Sequence, residues 1–240
     1  MIKSLFILCS ISIAIFSFTS CKNINSGPKI SKSFPVSEFT HLNLEIVGNV
    51  YYEQSDSHYL DIKGGSNLIE MLTVTNSEGK LSIELKDKNN LSGNKNNLEF
   101  RIGSPHLEKI SLNSVGVFIS DNEFKGDKLS IINNGVGNIK IRNCNVRDFN
   151  LISNGVGTIT ITGNTIRTFI NSQGVGEIDC SHFKSEKTIV ECRGIGNASV
   201  YAKDNIDIKL SGIGSVKYYG NPEEVKSNIS GLGKIENMES

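Results

Sequence analysis

The sequence predicts an all-β fold, a parallel β-helix of two sheets with about 20 residues per coil. The first observation is a Gly-x-Gly tripeptide whose second glycine recurs at spacings of 18 to 21 residues between Gly116 and Gly233. The second is that apolar and polar residues alternate on both sides of these glycines, which indicates half-buried strands. Such a constant period is typical of stacked repeats, in which each coil buries its apolar face against the next. A β-sandwich of unrelated hairpins is the alternative, but it does not explain the spacing.

Each repeat is predicted to run as strand, Gly-x-Gly corner, strand and polar turn. Glycine permits backbone angles that are closed to other residues, so these glycines are the predicted structural turns. They are Gly116, Gly135, Gly137, Gly155, Gly157, Gly174, Gly176, Gly194, Gly196, Gly212, Gly214, Gly231 and Gly233, with Ser114 in place of one first glycine.

The middle residue of the corner is apolar in every copy, although polar residues are usual at bends. From this we expect the side chain to point into the core. The residues are Val115, Val136, Val156, Val175, Ile195, Ile213 and Leu232.

Two further columns carry the expected core. One lies four residues before the first glycine and the other two residues after the second. The first comprises Ile110, Ile131, Leu151, Ile170, Val190 and Ile208; the second comprises Phe118, Ile139, Ile159, Ile178, Ala198, Val216 and Ile235.

Residues 1–20 have the pattern of a signal peptide, with Lys3 ahead of an apolar run too short to be a typical membrane span. Small residues then precede Cys21, which resembles the lipid-attachment cysteine of bacterial lipoproteins. An ordinary signal followed by a chance cysteine is the alternative. Residues 21–38 are rich in Lys, Asn, Ser and Gly and are expected to form a flexible tether.

The solenoid domain is expected to span residues 39–240. Residues 39–103 are less regular and are interpreted as the first coils and cap, whereas residues 104–240 carry the Gly-x-Gly repeats. Asn67–Leu72 is either a short helical turn or the start of a strand, and Lys86–Asn97 is a polar loop. A solenoid needs an atypical terminal unit to cover its open end.

Composition excludes some functions. The chain has 25 basic and 25 acidic residues, so no excess of positive charge indicates a nucleic-acid partner. The Gly-x-Gly copies lead into strands rather than helices, which argues against a dinucleotide or phosphate loop. No cofactor and no metal site is expected, because the histidines are scattered and the cysteine spacings match no metal motif.

Catalysis is not expected either. A glycosidase needs clustered carboxylates on one face, whereas Glu223 and Glu224 lie in a turn beside Pro222. Cys144, Cys180 and Cys192 are expected to be buried free thiols, although a disulfide among them stays open.

One group of apolar residues falls on the outward side of the strands that precede the glycines. We expect these residues to form a contiguous stripe, a candidate surface for a partner, for self-association or for cover by the Lys86–Asn97 loop. They are Ile132, Ile152, Phe169 and Ile189.

The order of these segments resembles the bacterial family called "putative auto-transporter adhesin, head GIN domain". The resemblance rests on Phe39–Leu44 with Gly48–Val50, on Gly79–Ile83, and on Pro105–Leu112 leading into the glycine repeats, and it covers about residues 36–236. It implies a right-handed parallel β-helix on secreted or lipid-anchored proteins, without catalytic residues. The chain departs from the family in having Val, Ile or Leu at the corner centre, where Ser is common.

Together these observations predict a non-enzymatic, lipid-anchored protein of the cell envelope with an adhesive or binding role. The expected partners are the membrane, through the lipid, and a glycan, a protein or a second copy. Outer-membrane placement is expected, with the periplasmic side and the cell surface both open. The alternatives are a structural or assembly component of the envelope and a carbohydrate-active β-helix enzyme.

Overall fold

The computed structural model describes residues 26–86 and 98–239. Regular structure in this part of the chain consists of strands and one short helix, in the order given next. The elements are β1 (Lys29–Phe34), β2 (His41–Glu45), β3 (Val47–Gln54), β4 (Tyr59–Gly65), α1 (Ser66–Glu70), β5 (Leu72–Ser77), β6 (Lys80–Leu85), β7 (Leu98–Ser104), β8 (Lys109–Leu112), β9 (Val115–Ser120), β10 (Phe124–Asn133), β11 (Val136–Ser153), β12 (Val156–Ser172), β13 (Val175–Cys180), β14 (Phe183–Cys192), β15 (Ile195–Tyr201), β16 (Asn205–Leu210), β17 (Ile213–Tyr219), β18 (Glu224–Ile229) and β19 (Leu232–Asn237).

The predicted parallel β-helix is confirmed. Strands that precede the glycine corners stack in parallel as one long side, in the order β6, β2, β8, β10, β11, β12, β14, β16 and β18. Strands that follow the corners stack as the opposite side, in the order β7, β3, β9, β11, β12, β13, β15, β17 and β19. The long strands β11 and β12 contribute to both sides because they bend at their polar turns.

A short third side closes the central coils. After the polar turn, three residues pair with their equivalents in the neighbouring coil before the chain bends into the next long side: Phe124 with Cys144, Cys144 with Gly163, and Gly163 with Phe183. The phenylalanines and Cys144 are at most 1% exposed, so this side also faces the core. The two predicted sheets are therefore linked by a narrow strip rather than by a turn alone.

Both predicted core columns are buried. In the column before the glycines, exposure is at most 1% from Ile110 to Ile208, and in the column after them it is at most 3% from Phe118 to Val216. Equivalent residues lie in register, for example Ile131 with Leu151 and Leu151 with Ile170. Like residues stacked on like thus form one continuous core along the solenoid.

The middle residue of each corner points outward, so the expectation that it enters the core is wrong. Inward positions alternate without interruption through the corner, from Ile131 to Asn133 and Gly135, which leaves Val136 outside. The inside of the corner has no room for a side chain, because a Cβ on Gly155 would overlap the carbonyl oxygen of Gly135 in the preceding coil. The apolar residue at the centre of each corner is therefore a surface residue.

The N-terminal end of the solenoid is covered by antiparallel strands and the helix. β5 pairs with β6, β4 pairs with β7, and β1 pairs with β4, while Leu68 and Ile69 of α1 are buried. The flexible tether expected over residues 21–38 is therefore wrong for Lys29–Phe34. β1 is bound to the edge of β4 through its backbone and leaves almost all of its side chains exposed, so no alternating apolar pattern indicated a strand.

The C-terminal end is built differently. β18 pairs in register with β16 and β19 with β17, and no strand or helix of the described residues covers their outer edges. Every residue of β18 is exposed, including those aligned with the buried column of β16. The core therefore opens to solvent at this end.

Candidate binding surfaces

Acidic side chains are the first candidates for metal binding or acid catalysis on a solenoid surface. No three side chains of His, Cys, Asp or Glu gather as a metal site in residues 26–86 and 98–239. A hydrogen bond from Arg167 holds the pKa of Asp148 below its usual value, and one from Lys226 does the same for Glu224. A general acid needs its pKa raised, so neither carboxyl is suited to that role.

The three cysteines of the solenoid are buried and unpaired, as expected. Cys144 and Cys180 are at most 1% exposed and Cys192 is 8% exposed. Burial raises the pKa of Cys144 to about 12 and that of Cys192 to about 11, and it also raises the pKa of Cys180. The reactive thiolate is therefore suppressed at all three, which makes them packing residues rather than nucleophiles.

The outward stripe predicted from the sequence is divided into two pairs. Ile132 lies beside Ile152 in one column, and Phe169 lies beside Ile189 in a column two residues earlier along the strand. The shift arises because Phe169 aligns with Asn150 rather than with Ile152. The four side chains form a diagonal patch, three of them half-buried and Ile189 44% exposed. We call this set the diagonal patch.

A groove of about 500 Å³ borders the Phe169–Ile189 half of the diagonal patch. A column of charged side chains, two residues before Phe169 and Ile189 on the same strands, forms its other border. There Arg167 Nη2 donates to Asp148 Oδ2 at 2.8 Å and Lys128 pairs with Glu108 at 2.9 Å. The groove therefore combines an apolar border with a mainly cationic one. The charged column comprises Lys128, Asp148, Arg167 and Lys187.

The row of corner residues forms a second apolar surface. Their exposed fractions range from 46% at Val156 to 74% at Leu232, and they align coil on coil, for example Val136 with Val156. Val47 of β3, which is half-buried, continues the row beyond Val115. We call this row the corner ridge; it consists of Val47, Val115, Val136, Val156, Val175, Ile195, Ile213 and Leu232.

Polar side chains border the corner ridge on the side of the preceding strands, and they form hydrogen bonds with one another. Asn134 Nδ2 donates to Asn113 Oδ1 at 2.8 Å, and Asn154 Nδ2 donates to Asn134 Oδ1 at 2.8 Å. On the other flank, Asn138 Oδ1 accepts from the backbone N–H of Thr158 at 3.2 Å. Several hydrogen-bond donors and acceptors beside the ridge are thus paired within the solenoid, while the aliphatic side chains of the ridge stay exposed.

Sequence reasoning identified the diagonal patch but missed the corner ridge and the groove. Counting the alternation through the corner, from Ile131 to Gly135, would have placed Val136 outside. The groove depends on the alignment of neighbouring strands, and β11 departs from regular pairing with β12 between Ile141 and Cys144. One sequence does not show that irregularity.

Part of what the sequence predicts lies beyond the region that the structure describes. Cys21 and the signal peptide over residues 1–20 lie outside the described residues, as does most of the Lys86–Asn97 loop. No helix of residues 26–86 and 98–239 has the length and apolar character needed to cross a membrane.

Comparison with solved structures gives relatives of the same architecture. A protein described as a "putative adhesin" from Bacteroides fragilis NCTC 9343 is 30% identical, with a TM-score of 0.85, and the alignment covers 88% of this chain and 97% of that one. A "putative lipid binding protein" from Parabacteroides distasonis ATCC 8503 is 23% identical, with a TM-score of 0.60 and the same coverages, and shares the fold. A "putative adhesin" from Parabacteroides merdae ATCC 43184 is 21% identical with a TM-score of 0.60, at 88% and 97% coverage. No curated protein matches the sequence significantly.

A family model gives the assignment on sequence. The model described as "Putative auto-transporter adhesin, head GIN domain" matches residues 38–222, from the chain before β2 to the turn before β18. The matched range contains the whole diagonal patch and all of the corner ridge except Leu232, and the resemblance found in the sequence is confirmed. The chain belongs to the head GIN domain family of adhesin-like proteins.

Proposed function

We propose that this chain is a non-enzymatic, lipid-anchored cell-envelope protein that binds a partner through the outside of its solenoid, in an adhesive role. Family membership supports an adhesin-like protein. The observation that carries the proposal is the corner ridge, a regular row of exposed aliphatic side chains on a surface bordered by polar ladders.

The corner ridge is unusual for a surface that only faces water. From Val115 to Leu232 it crosses six coil-to-coil steps of about 4.8 Å, a length of roughly 29 Å. Burying apolar surface contributes about 25 cal/mol per Å², and contiguous exposed apolar patches typically mark interaction sites. A polar residue would fit the outside of each corner equally well, so the repeated aliphatic choice is explained by contact with a partner.

The anchor is the second part of the proposal and depends on Cys21. Cys21→Ser should abolish incorporation of labelled fatty acid and release the chain from membranes. Protease treatment of intact cells then distinguishes the two sides of the outer membrane, since only a chain at the surface is digested. Unchanged labelling of the Cys21→Ser variant would contradict the anchor and leave the ridge proposal standing.

The binding role is tested by replacing Val136, Val156 and Val175 together with Ser. Cells carrying the variant and cells carrying the parent chain are compared for retention on a printed panel of glycans and polypeptides. We expect retention affinity to fall about tenfold, because central apolar contacts supply much of the binding free energy of an interface. The outward position of all three side chains should leave the β-rich circular dichroism spectrum unchanged.

A matched control changes three outward residues on the same coils, Lys140, Thr160 and Asp179, to Ser. This control should bind like the parent. If the ridge variant also binds like the parent while Ile152→Lys with Phe169→Lys does not, the partner surface is the diagonal patch. If no surface on the panel retains the parent above cells that lack the chain, the binding role is wrong, and a hydrolase panel then tests the enzyme alternative.

The groove favours a second candidate function, binding of an anionic amphiphile. Phe169 and Ile189 would contact an acyl chain, while Arg167 and Lys187 would attract a carboxylate or phosphate. Titration with a fluorescent fatty acid tests this, with Phe169→Ser expected to weaken binding and Ile132→Ser, in the other half of the diagonal patch, expected to leave it unchanged. Equal affinity of the parent and the Phe169→Ser variant would exclude the groove as the site.

A further inference from the structure

The last coil leaves core positions in contact with water. Ile206 and Leu210 of β16 are each 2% exposed, whereas Val225 and Ile229, which align with them in β18, are 45% and 48% exposed. The side chains of Val225 and Ile229 lie on the inward side of the coil. They are exposed because no further layer of the described residues lies above them. The apolar core of the solenoid therefore ends at an open surface.

The same coil presents two open strand edges. β18 pairs with β16 and β19 with β17, and the opposite edge of each strand has no strand partner in the described part of the chain. Unpaired parallel edges of this kind are templates for pairing with another chain. At the N-terminal end, by contrast, β5 covers β6 and β4 covers β7 in antiparallel orientation, and β1 in turn pairs with β4.

Neither the segment between β6 and β7 nor, after processing at Cys21, residues 21–25 is long enough to reach the open end. Eight coil-to-coil steps separate β6 from β18, which is about 38 Å at 4.8 Å per step. The segment between Lys86 and Leu98 is fixed after β6 at one end and before β7 at the other, so it reaches outward at most about 20 Å. If the chain is processed at Cys21, five residues precede Ser26, about 18 Å, and Ser26 is held at α1 by a hydrogen bond to Asn67.

The last coil is complementary to a second copy of itself. Ser227 in β18 and Ile235 in β19 are each four residues from Gly231, which lies between the two strands. A two-fold axis perpendicular to the strands can therefore pass through both residues. About that axis, antiparallel pairing of β18 with its own copy sets Val225 opposite Ile229, which keeps inward residues together. The same operation on β19 sets Lys234 opposite Glu236 and Ile235 opposite its own equivalent.

We propose that the open last coil is a two-fold interface, through which two copies of this chain join end to end into one continuous solenoid. The antiparallel pairing continues both sheets, buries the exposed core positions and places opposite charges across the junction. An isologous contact of this kind closes after two copies and forms no filament. The family model ends at residue 222, before β18 begins, so the interface is a property proposed for this chain rather than for the family.

The test uses the chain expressed from residue 22, without the signal sequence and Cys21, studied by sedimentation equilibrium over a range of concentrations. The parent should be a monomer–dimer system. Lys234→Glu and Glu236→Lys should each weaken the dimer about tenfold, because each cross-strand pair occurs twice about the two-fold axis. The double variant restores opposite charges across the junction and should return the dissociation constant to within about threefold of the parent value.

Cysteine cross-linking locates the axis independently. Ser227→Cys lies opposite its own copy and should form an interchain disulfide under mild oxidation, while Cys144, Cys180 and Cys192 stay buried. Val156→Cys, on the corner ridge in the middle of the solenoid, is the matched control and should cross-link far less. Circular dichroism spectra and melting temperatures show whether each variant folds.

The proposal is overturned if the parent stays monomeric at every concentration or grows beyond a dimer, which would indicate head-to-tail stacking. It is equally overturned if the double charge reversal fails to restore association, or if Ser227→Cys and Val156→Cys cross-link to the same extent. The binding results for the corner ridge variants do not bear on the two-fold interface, because the ridge and the end of the solenoid are tested separately.

Discussion

The middle coils and the last coil have the same sequence pattern but different surroundings. Leu151, in a middle coil, lies between Ile131 and Ile170 and is fully buried. Ile229 occupies an inward position of the last coil and is 48% exposed, because only β16 lies beside it. The stability of a solenoid is approximately a sum over repeats and their nearest-neighbour interfaces, so a position in the last coil has half the neighbours of the same position in the middle.

This difference shows that an inward position is not the same as a buried position. The repeat determines which way a side chain points, and stacking determines whether it leaves water. Substitutions matched between the two regions can therefore separate the contribution of the repeat from that of the stack. In the four comparisons that follow, stability is measured at protein concentrations low enough to dissociate the proposed dimer.

The largest effect is expected at the corner glycines. Gly157 has φ +140°, and a Cβ there would overlap the carbonyl oxygen of Gly137. Gly157→Val should lower the free energy of unfolding by about 2–6 kcal/mol, from backbone strain together with overpacking. Gly233→Val meets the carbonyl oxygen of Gly214, but Gly233 lacks the positive φ of Gly157 and has no coil above it. The last coil can therefore move aside, and we expect a smaller loss. Equal losses of unfolding free energy for the two variants in denaturant would show that the last corner cannot relax even without a coil above it.

Core truncation should give the next largest difference. Leu151→Ala leaves a cavity between two coils and should cost about 2–5 kcal/mol, measured by denaturant unfolding. Ile229→Ala removes a side chain that is already half in water, so about 1 kcal/mol or less is expected. A loss at Ile229 as large as that at Leu151 would mean that the end of the solenoid is covered even in the monomer.

A smaller and pH-dependent effect is expected from the surface carboxylates. The pKa of Asp148 is held down by its hydrogen bond to Arg167 in the middle coils, and that of Glu224 by Lys226 in the last coil. A carboxyl whose folded pKa is lowered stabilises the fold above its unfolded pKa of about 4, and this contribution disappears as pH falls through the folded pKa. Asp148→Asn should therefore lower the melting temperature slightly at pH 7 and leave it unchanged near pH 2. Glu224→Gln should do the same, and a difference that persists in acid would point to packing rather than charge.

The smallest effect on stability is expected on the corner ridge. Val156 and Leu232 are 46% and 74% exposed on the outside of their corners, in a middle coil and in the last coil. Val156→Ser and Leu232→Ser should each change the free energy of unfolding by no more than about 0.5 kcal/mol, the usual range for surface substitutions. A loss of 2 kcal/mol or more at Val156 in thermal unfolding would place its side chain in the core, as the sequence alone had suggested.

The sequence by itself determined the architecture, the coil length and the two core columns. The repeat period sets the number of residues in a coil, and the two-residue alternation sets which side chains face the core, so Ile131, Leu151 and Ile170 could be placed without coordinates. The four members of the diagonal patch were found by the same rule. These features depend on local periodicity, which one sequence displays directly.

The tertiary structure decided what lies inside a corner, how outward residues align and which positions are covered. Val136 is outside because the carbonyl oxygens of the neighbouring coil occupy the inside, and no local pattern carries that information. The diagonal patch is split because Phe169 aligns with Asn150, which depends on the register between strands. β1 and the open edge of β18 depend on backbone pairing at the ends of the stack, where hydrogen bonds between strands rather than side-chain identity determine what is paired.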